Sequence, residues 1–239
     1  MKLIGTGHTA EAYEYEEGKI CKLFFEWNTA EAINREYHNA MIMQKFVKVV
    51  PRCYGIIEVE GRKGIVYDEV RGKTLLEKFF EDGDEEFMIN TLTDIHKSIL
   101  ACHTTEVMSY KDFCTMLVTY SPHQKDEEAK KELIQKIKSL PDGDCLCHGD
   151  YHLLNVMITE DRKPYVIDFM NVCQGPYEYD IARSYYLTRY GEVPKDIPNR
   201  EEVMKLQAKL AEDYLVKMRT TYSEIEPYID VIRLCRKYE

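Results

Sequence analysis

Within the ten residues 147-CHGDYHLLNV-156 stand two histidines, an aspartate and an asparagine between apolar positions. His148, Asp150 and Asn155 fit the spacing H-x-D-x-x-x-x-N, and eighteen residues after Asp150 comes Asp168, inside YVIDFM. Each fragment alone is weak, because an acid at the end of a short apolar run often just caps the next turn. The set is stronger. Two carboxylates about 4 Å apart repel by roughly 4 kcal/mol at an effective dielectric of about 20, so a fold that keeps both charged needs a cation beside them. Asn155 offers a neutral oxygen and Asp168 a charged one, the hard-oxygen ligation that Mg²⁺ accepts while phosphate oxygens and water fill its other positions. Asp150 is then free to orient an attacking hydroxyl. A carboxylate of ordinary pKa, about 3.9, is a poor base toward an alcohol, but phosphoryl transfer through a loose transition state asks mainly for positioning and charge neutralisation.

Such chemistry needs a phosphate cradle upstream. The segment 4-IGTGHTAEAYEY-15 carries Gly5 and Gly7, followed by His8 and Thr9, with Ala10 where a third glycine of G-x-G-x-x-G would stand. Backbone amides of such a turn can approach phosphate oxygens because no side chain intervenes. A dinucleotide site requires strand, glycine loop and then helix; here strand, turn and strand follow. Lys22 lies next, among Cys21, Leu23, Phe24 and Phe25. A single lysine in an apolar strand commonly snorkels to the surface, but behind a phosphate loop its ammonium can reach the α- and β-phosphates. Glu36 is the natural carboxylate to hold it, with Glu31 one helical turn away as the competitor. At the end of the second hairpin, Asp68, Glu69 and Val70 read either as an edge strand or as a connector whose backbone meets an adenine edge.

These groups must be positioned by two different kinds of structure. Residues 12–24 read as strand, glycine-bearing turn and strand, and 54–70 as a second hairpin. Between them, Ile33, Tyr37, Ala40, Met41 and Gln44 fall at helical spacing, with Thr29 able to cap the start. From about Gly72 the pattern turns helical: Phe87, Leu92, Ile95 and Ile99, then Val203, Leu206, Leu210, Tyr214 and Met218. The acidic run 81-EDGDEE-86 reads as the solvated start of a helix. CLCHGD and YVIDF read as the two strands of a hairpin among these helices. The expected division is a nucleotide-binding lobe over 1–70 and a helical lobe over 71–239.

The chain of 239 residues is long enough for a substantial core, and its formal charge of −10 disfavours a nonspecific grip on nucleic acid or anionic lipid. Cationic or zwitterionic small molecules suit it better. No basic-then-apolar leader and no bilayer-length apolar run is present, so a soluble cytoplasmic protein is expected. Cys145, Cys147 and His148 lack a second ligand pair for zinc and read as small buried side chains.

Taken together, IGTGHTAEAYEY, ICKLF, REYHNA, VYDEVRG, CHGDYHLLN and VIDFMN resemble the aminoglycoside phosphotransferase and choline kinase-like family. The likeness spans residues 4 to about 190, and the HGD-to-IDF portion is its specific part. It implies an α+β, bilobal protein kinase-like fold: a small antiparallel sheet with one helix, then a larger, mainly helical lobe. It further implies Asp150 as the catalytic aspartate, Asn155 and Asp168 as magnesium ligands, Lys22 with Glu36 as the phosphate anchor, and 68–70 as the adenine hinge. Asp180, in GPYEYDIAR, is implied as a brace for the catalytic loop. The cosubstrate would be ATP, with GTP an alternative, and the acceptor a hydroxyl of a small molecule such as an aminoglycoside, sugar or amino alcohol. Tyr177, Glu178, Tyr179, Tyr185 and Tyr186 are candidates for that acceptor's pocket or for core. IDFM in place of D-F-G keeps the metal ligand without the switchable glycine, which implies a permanently formed site. His96 and His148 read as hydrogen-bonded core members, and His152 has no assigned role.

Rival readings fare less well. A protein kinase would need an activation segment, yet eleven residues separate Asp168 from Asp180 and no A-P-E follows. A hydrolase using the same carboxylates leaves the glycine loop, Lys22 and Glu36 unexplained. A non-catalytic nucleotide-binding module is the nearest alternative.

Overall fold

The computed structural model describes residues 1–120, 126–193 and 200–237. Five antiparallel strands open the chain: β1 (Leu3–Thr6), β2 (Ala10–Glu14), β3 (Lys19–Phe24), β4 (Cys53–Val59) and β5 (Arg62–Asp68), in the order β1-β2-β3-β5-β4. Gly18 and Gly61 sit at positive φ, the conformation that lets the chain reverse between β2 and β3 and between β4 and β5. Within β5, Gly64, Ile65, Val66 and Tyr67 are all buried, because this strand is paired on both sides and covered on its faces. One helix, α1 (Ala30–Phe46), joins β3 to β4, and the Thr29 side chain accepts the Ala32 N–H at its start, as expected.

The inward face of α1 differs from the apolar stripe. Ile33, Ala40, Ile42 and Met43 point in, but so do Glu36 and Asn39, while Met41 is 37% exposed. Two buried polar residues displace the apolar phase, which a hydrophobicity count has no way to anticipate.

Past β5 the chain becomes mainly helical. β6 (Gly72–Thr74) leads into α2 (Leu75–Asp82), whose Thr74 and Glu77 form a reciprocal capping box. The acidic run 81–86 then divides between two helices rather than starting one: α2 closes at Gly83 with φ 70°, and Asp84 caps α3 (Glu85–Leu100). There follow α4 (Tyr110–Tyr120), α5 (Glu127–Ser139), β7 (Cys145–Cys147), a 3-10 turn (Leu153–Asn155), β8 (Val156–Thr159), β9 (Pro164–Val166) and β10 (Cys173–Gly175). The last three helices are α6 (Tyr177–Tyr190), α7 (Arg200–Met218) and α8 (Tyr222–Cys235). Leu92, Ile95 and Ile99 of α3 and Leu210, Tyr214 and Met218 of α7 are buried, on the expected faces. Residues 179–185 of α6 are buried without a break, because that helix packs against both α7 and α8.

CLCHGD and YVIDF do not form one hairpin. β7 pairs with β10, and β9 pairs with β8 across the turn at 160–163, with β6 on the other edge of β8. Both apolar runs are strands of only three residues, too short for side-chain alternation to reveal a partner. Asp168 lies beyond β9, at φ 66°, a left-handed conformation that aspartate tolerates better than most residues. No helix among the described residues is long and apolar enough to cross a membrane.

Candidate active site

Three distant segments meet at one ammonium group. In β3, Cys21 and Leu23 turn into the core, so the intervening Lys22 faces the other way, into the cleft. Its Nζ donates to Glu36 Oε1 at 2.6 Å and to Asp168 Oδ1 at 3.0 Å. Glu36, not the exposed Glu31, is therefore the helical partner. Burial works against the lysine's charge, but the Asp168 and Glu36 carboxylates override it and hold its pKa above the ordinary value. For Glu36 the balance falls the other way: burial raises its pKa to about 6 despite Lys22. Asp168 stays below the normal carboxylate range, because Lys22 outweighs the penalty of its own burial.

Asp150 and Asn155 are joined within one loop. Asn155 Nδ2 donates to the Asp150 carbonyl oxygen at 2.8 Å and approaches Asp150 Oδ2 at 3.3 Å. His152 Nε2 lies 3.7 Å from the same Oδ2, and an Arg183 Nη lies 3.8 Å from Oδ1. Burial pushes the Asp150 pKa up, but His152 and Arg183 pull it well below the usual aspartate range. It is an ionised hydrogen-bond acceptor rather than a stored proton.

A buried frame fixes this loop. Asp180 is wholly inaccessible; its Oδ2 accepts the His148 N–H at 2.7 Å and its Oδ1 the Gly149 N–H at 2.9 Å. His96 Nε2–H also donates to Asp180 Oδ2, at 2.9 Å, so its Nδ1 is left to accept the Tyr214 hydroxyl at 2.7 Å. His148 Nε2–H donates to the Ile167 carbonyl at 3.2 Å, tying the Asp150 loop to the segment bearing Asp168. Arg183 Nε–H donates to the Gly149 carbonyl. Gly149 itself has φ 75°, and a Cβ there would strike the Asn171 carbonyl.

Burial raises the pKa of Asp180, but His96, His148 and the Gly149 amide depress it below the ordinary aspartate range. With the folded value depressed, the unfolded chain takes up the extra proton first as pH falls. The stabilisation is thus fully present above about pH 4 and is lost as pH falls through the folded value. Asp180→Asn should lower stability at neutral pH by about 2–4 kcal/mol and flatten the acid limb of a urea-denaturation series taken from pH 7 downward. An unchanged acid limb would contradict this account.

A cleft of about 650 Å³ gathers Gly7, His8, Thr9, Lys22, Asp150 and Asp168 on its lining. Glu36 stands behind Lys22, and Asn155 behind Asp150, both buried. Gly5 belongs to β1 and is not part of that lining. Nor are Asp68, Glu69 and Val70: Asp68 ends β5, its carboxylate accepting the Tyr54 hydroxyl at 2.7 Å, while the Glu69 N–H donates to Gly18 O at 2.8 Å. Tyr179 and Tyr185 are core residues of α6 rather than pocket walls, and Tyr177, Glu178 and Tyr186 are absent from the lining. Instead Trp27, Arg35, Phe113, Leu117, Leu187 and Arg236 form the outer walls, so the C-terminal segment does reach the cleft. Residues 238–239 of that segment lie outside the described residues.

Sequence reasoning missed Arg183, His152 as a partner of Asp150, and Asn39, whose Nδ2 donates to the Phe169 and Val172 carbonyls at 2.9 and 3.2 Å. The sequence signal for Asn39 was its position three residues after Glu36, on the same helical face. Arg183 looks like any charged helical residue until it proves to be 1% exposed.

The model of the phosphotransferase enzyme family matches residues 1–216. The chain belongs to that family. Among solved structures, this phosphotransferase is similar to APH(3'')-Id from Streptomyces rimosus in complex with ADP and streptomycin: 12% identity, TM-score 0.65, covering 94% of this chain and 90% of that one. It is also similar to an aminoglycoside-3'-phosphotransferase of type VIII, at 16% identity and TM-score 0.63, covering 100% of this chain and 92% of the other. A thermostable mutant of APH(4)-Ia in a ternary complex with ADP and hygromycin B gives 12% identity and TM-score 0.60, covering 99% and 92%. No curated protein matches the chain. At these identities the likeness is one of fold, and the fold is the bilobal kinase-like one expected from the motifs.

Proposed function

We propose that this phosphotransferase moves the γ-phosphoryl group of ATP to a hydroxyl of a small molecule. The observation that carries the proposal is the convergence of Lys22, Asp150 and Asp168 with the Gly7–Thr9 turn on one cleft, Lys22 and Asp168 alone being 146 residues apart. Solved relatives of the same fold hold ADP, which supports a nucleotide in this cleft. Lys22, held by Glu36, would bind α- and β-phosphate oxygens, and the 7–9 turn would cover them. Asp150 would accept a hydrogen bond from the acceptor hydroxyl and aim its oxygen at the γ-phosphorus. The new O–P bond forms as the β–γ bridge bond breaks; ADP leaves with that electron pair, and the hydroxyl proton passes toward Asp150.

The donor set fits Mg²⁺. Asn155 commits its amide hydrogens to Asp150, which leaves the amide oxygen as a ligand, and the Asp168 carboxylate is 39% exposed with one oxygen on Lys22. When bound, the ion would neutralise charge on the phosphates. A hydrolase reading still gives Lys22 and Glu36 no task, and the short span from Asp168 to Asp180 still disfavours a protein acceptor. The test is titration of the purified chain with Mg·ATP, followed by mass spectrometry of pooled sugars, aminoglycosides, amino alcohols and nucleosides for a gain of about 80 dalton. ATP binding with no turnover in any pool would favour a non-catalytic module.

One pH effect follows from Glu36. Above about pH 6 it is a carboxylate and holds Lys22; below that it gains a proton and loosens the ammonium. KM for ATP should therefore rise as pH falls through about 6. In Glu36→Gln, KM should be raised about tenfold at neutral pH, with that limb of the profile flattened. An identical profile in wild type and variant would rule out Glu36 as its source.

A further inference from the structure

One wall of the cleft carries a charge that the phosphate chemistry does not use. Arg35 precedes Glu36 on α1, half-buried, and lines the cavity with Phe113 and Leu117 of α4. Its Nη1 approaches the Met116 sulfur at 3.5 Å, and its buried Nε has no hydrogen-bond partner among the described residues. No carboxylate among the described residues forms an ion pair with it. A guanidinium stays charged in proteins and presents a planar fork of donors matched to carboxylate and phosphate oxygens. With the Met116 sulfur, a weak acceptor, as its only hydrogen-bond partner among the described residues, the guanidinium has Nη donors that an anion in the cleft would satisfy better.

The rest of the lining points the same way. Its only carboxylates among the described residues are Asp150 and Asp168, the first held by His152 and Arg183, the second bonded to Lys22. Arg35 stands on the same wall with no carboxylate ion pair among the described residues. A polycationic acceptor would find no carboxylate on this lining, among the described residues, that is not already engaged. At the cleft, Trp27, 63% exposed, offers an aromatic face suited to a ring or carbon skeleton.

We propose that the acceptor is a hydroxyl compound bearing an anionic group, carboxylate or phosphate, which the Arg35 guanidinium binds while its hydroxyl meets Asp150. This rests on the phosphotransfer reading above and specifies its acceptor. It revises the expectation of a cationic one.

The test uses the full chain with Mg·ATP and hydroxyl compounds matched in skeleton but not in charge: glycerol, glycerate and glycerol 3-phosphate; glucose, gluconate and glucose 6-phosphate; with ethanolamine and kanamycin as cations. ADP release and mass gain are both read. The expected result is a kcat/KM at least about tenfold higher for anionic members than for neutral or cationic ones. The comparison of acid with phosphate ester identifies which anion is taken. Arg35→Gln should raise KM for the preferred acceptor about 10- to 100-fold, with Arg35→Lys recovering part of the loss and KM for ATP moving less than about twofold. Preference for kanamycin, ethanolamine or the neutral members overturns the proposal. So does an Arg35→Gln effect on KM for ATP instead of on the acceptor, or ADP formed with water in preference to every anionic compound. Absence of both ATP binding and ADP would strike the phosphotransfer reading itself, and the ADP signal tells the two failures apart.

Discussion

Asp150→Asn is expected to lower kcat by about 10²- to 10⁴-fold while leaving the dissociation constant for Mg·ATP within about threefold of wild type. The asymmetry comes from where Asp150 sits. It touches neither Lys22 nor Glu36 but is held by Asn155 and His152 of its own loop and by Arg183 of α6. Asparagine keeps the volume, so the loop keeps its frame on Asp180. What is lost is the negative acceptor that aims the hydroxyl and receives its proton. Calorimetric titration with a non-hydrolysable ATP analogue, beside single-turnover transfer, separates binding from chemistry. Normal turnover by the variant would remove Asp150 from the reaction.

The second large effect is expected at Asp168, where binding itself should fail. Its carboxylate answers the Lys22 charge and is the sole charged oxygen proposed for the metal. Removing it should weaken ATP binding in Mg²⁺ by about 10²-fold or more and abolish the difference between binding with and without the ion. The variant has to be chosen with the backbone in mind. Residue 168 stands at φ 66°, where alanine is strained but asparagine is tolerated. Asp168→Asn therefore isolates the charge, and a greater loss of stability in Asp168→Ala reports the backbone. Persistence of magnesium-dependent binding in Asp168→Asn would place the ion elsewhere.

How much of this could be read from residues alone depended on the range of the interaction. Both N-terminal hairpins, the Thr29 cap and the α3 and α7 faces were legible because turn chemistry and side-chain periodicity are local. The Lys22–Glu36 pairing was legible because a strand followed by one helix leaves only two phases, and Glu31 proved to be the outward one. The strand partners of CLC and PYV were not legible, since three residues carry too little pattern to fix a neighbour. The acceptor pocket was misjudged for a related reason. Sequence nearness to the reacting loop favoured the tyrosines of α6, but packing between α7 and α8 buries Tyr179 and Tyr185. The cleft walls come instead from α1, α4, Leu187 at the far end of α6 and Arg236 beyond α8, segments well separated from the loop in the chain. Buried polar residues such as Asn39 and Arg183 are invisible to hydrophobic patterning by their nature.

Asn39 carries a consequence for inhibition. One amide group from α1 grips both ends of the single turn after Asp168, so swinging the phenylalanine of that segment outward would strand buried carbonyls as well as vacate its niche. Compounds designed to wedge behind a displaced loop would have to break this clasp first. Selective blockers of this enzyme should instead be sought among molecules that occupy the cleft as it stands.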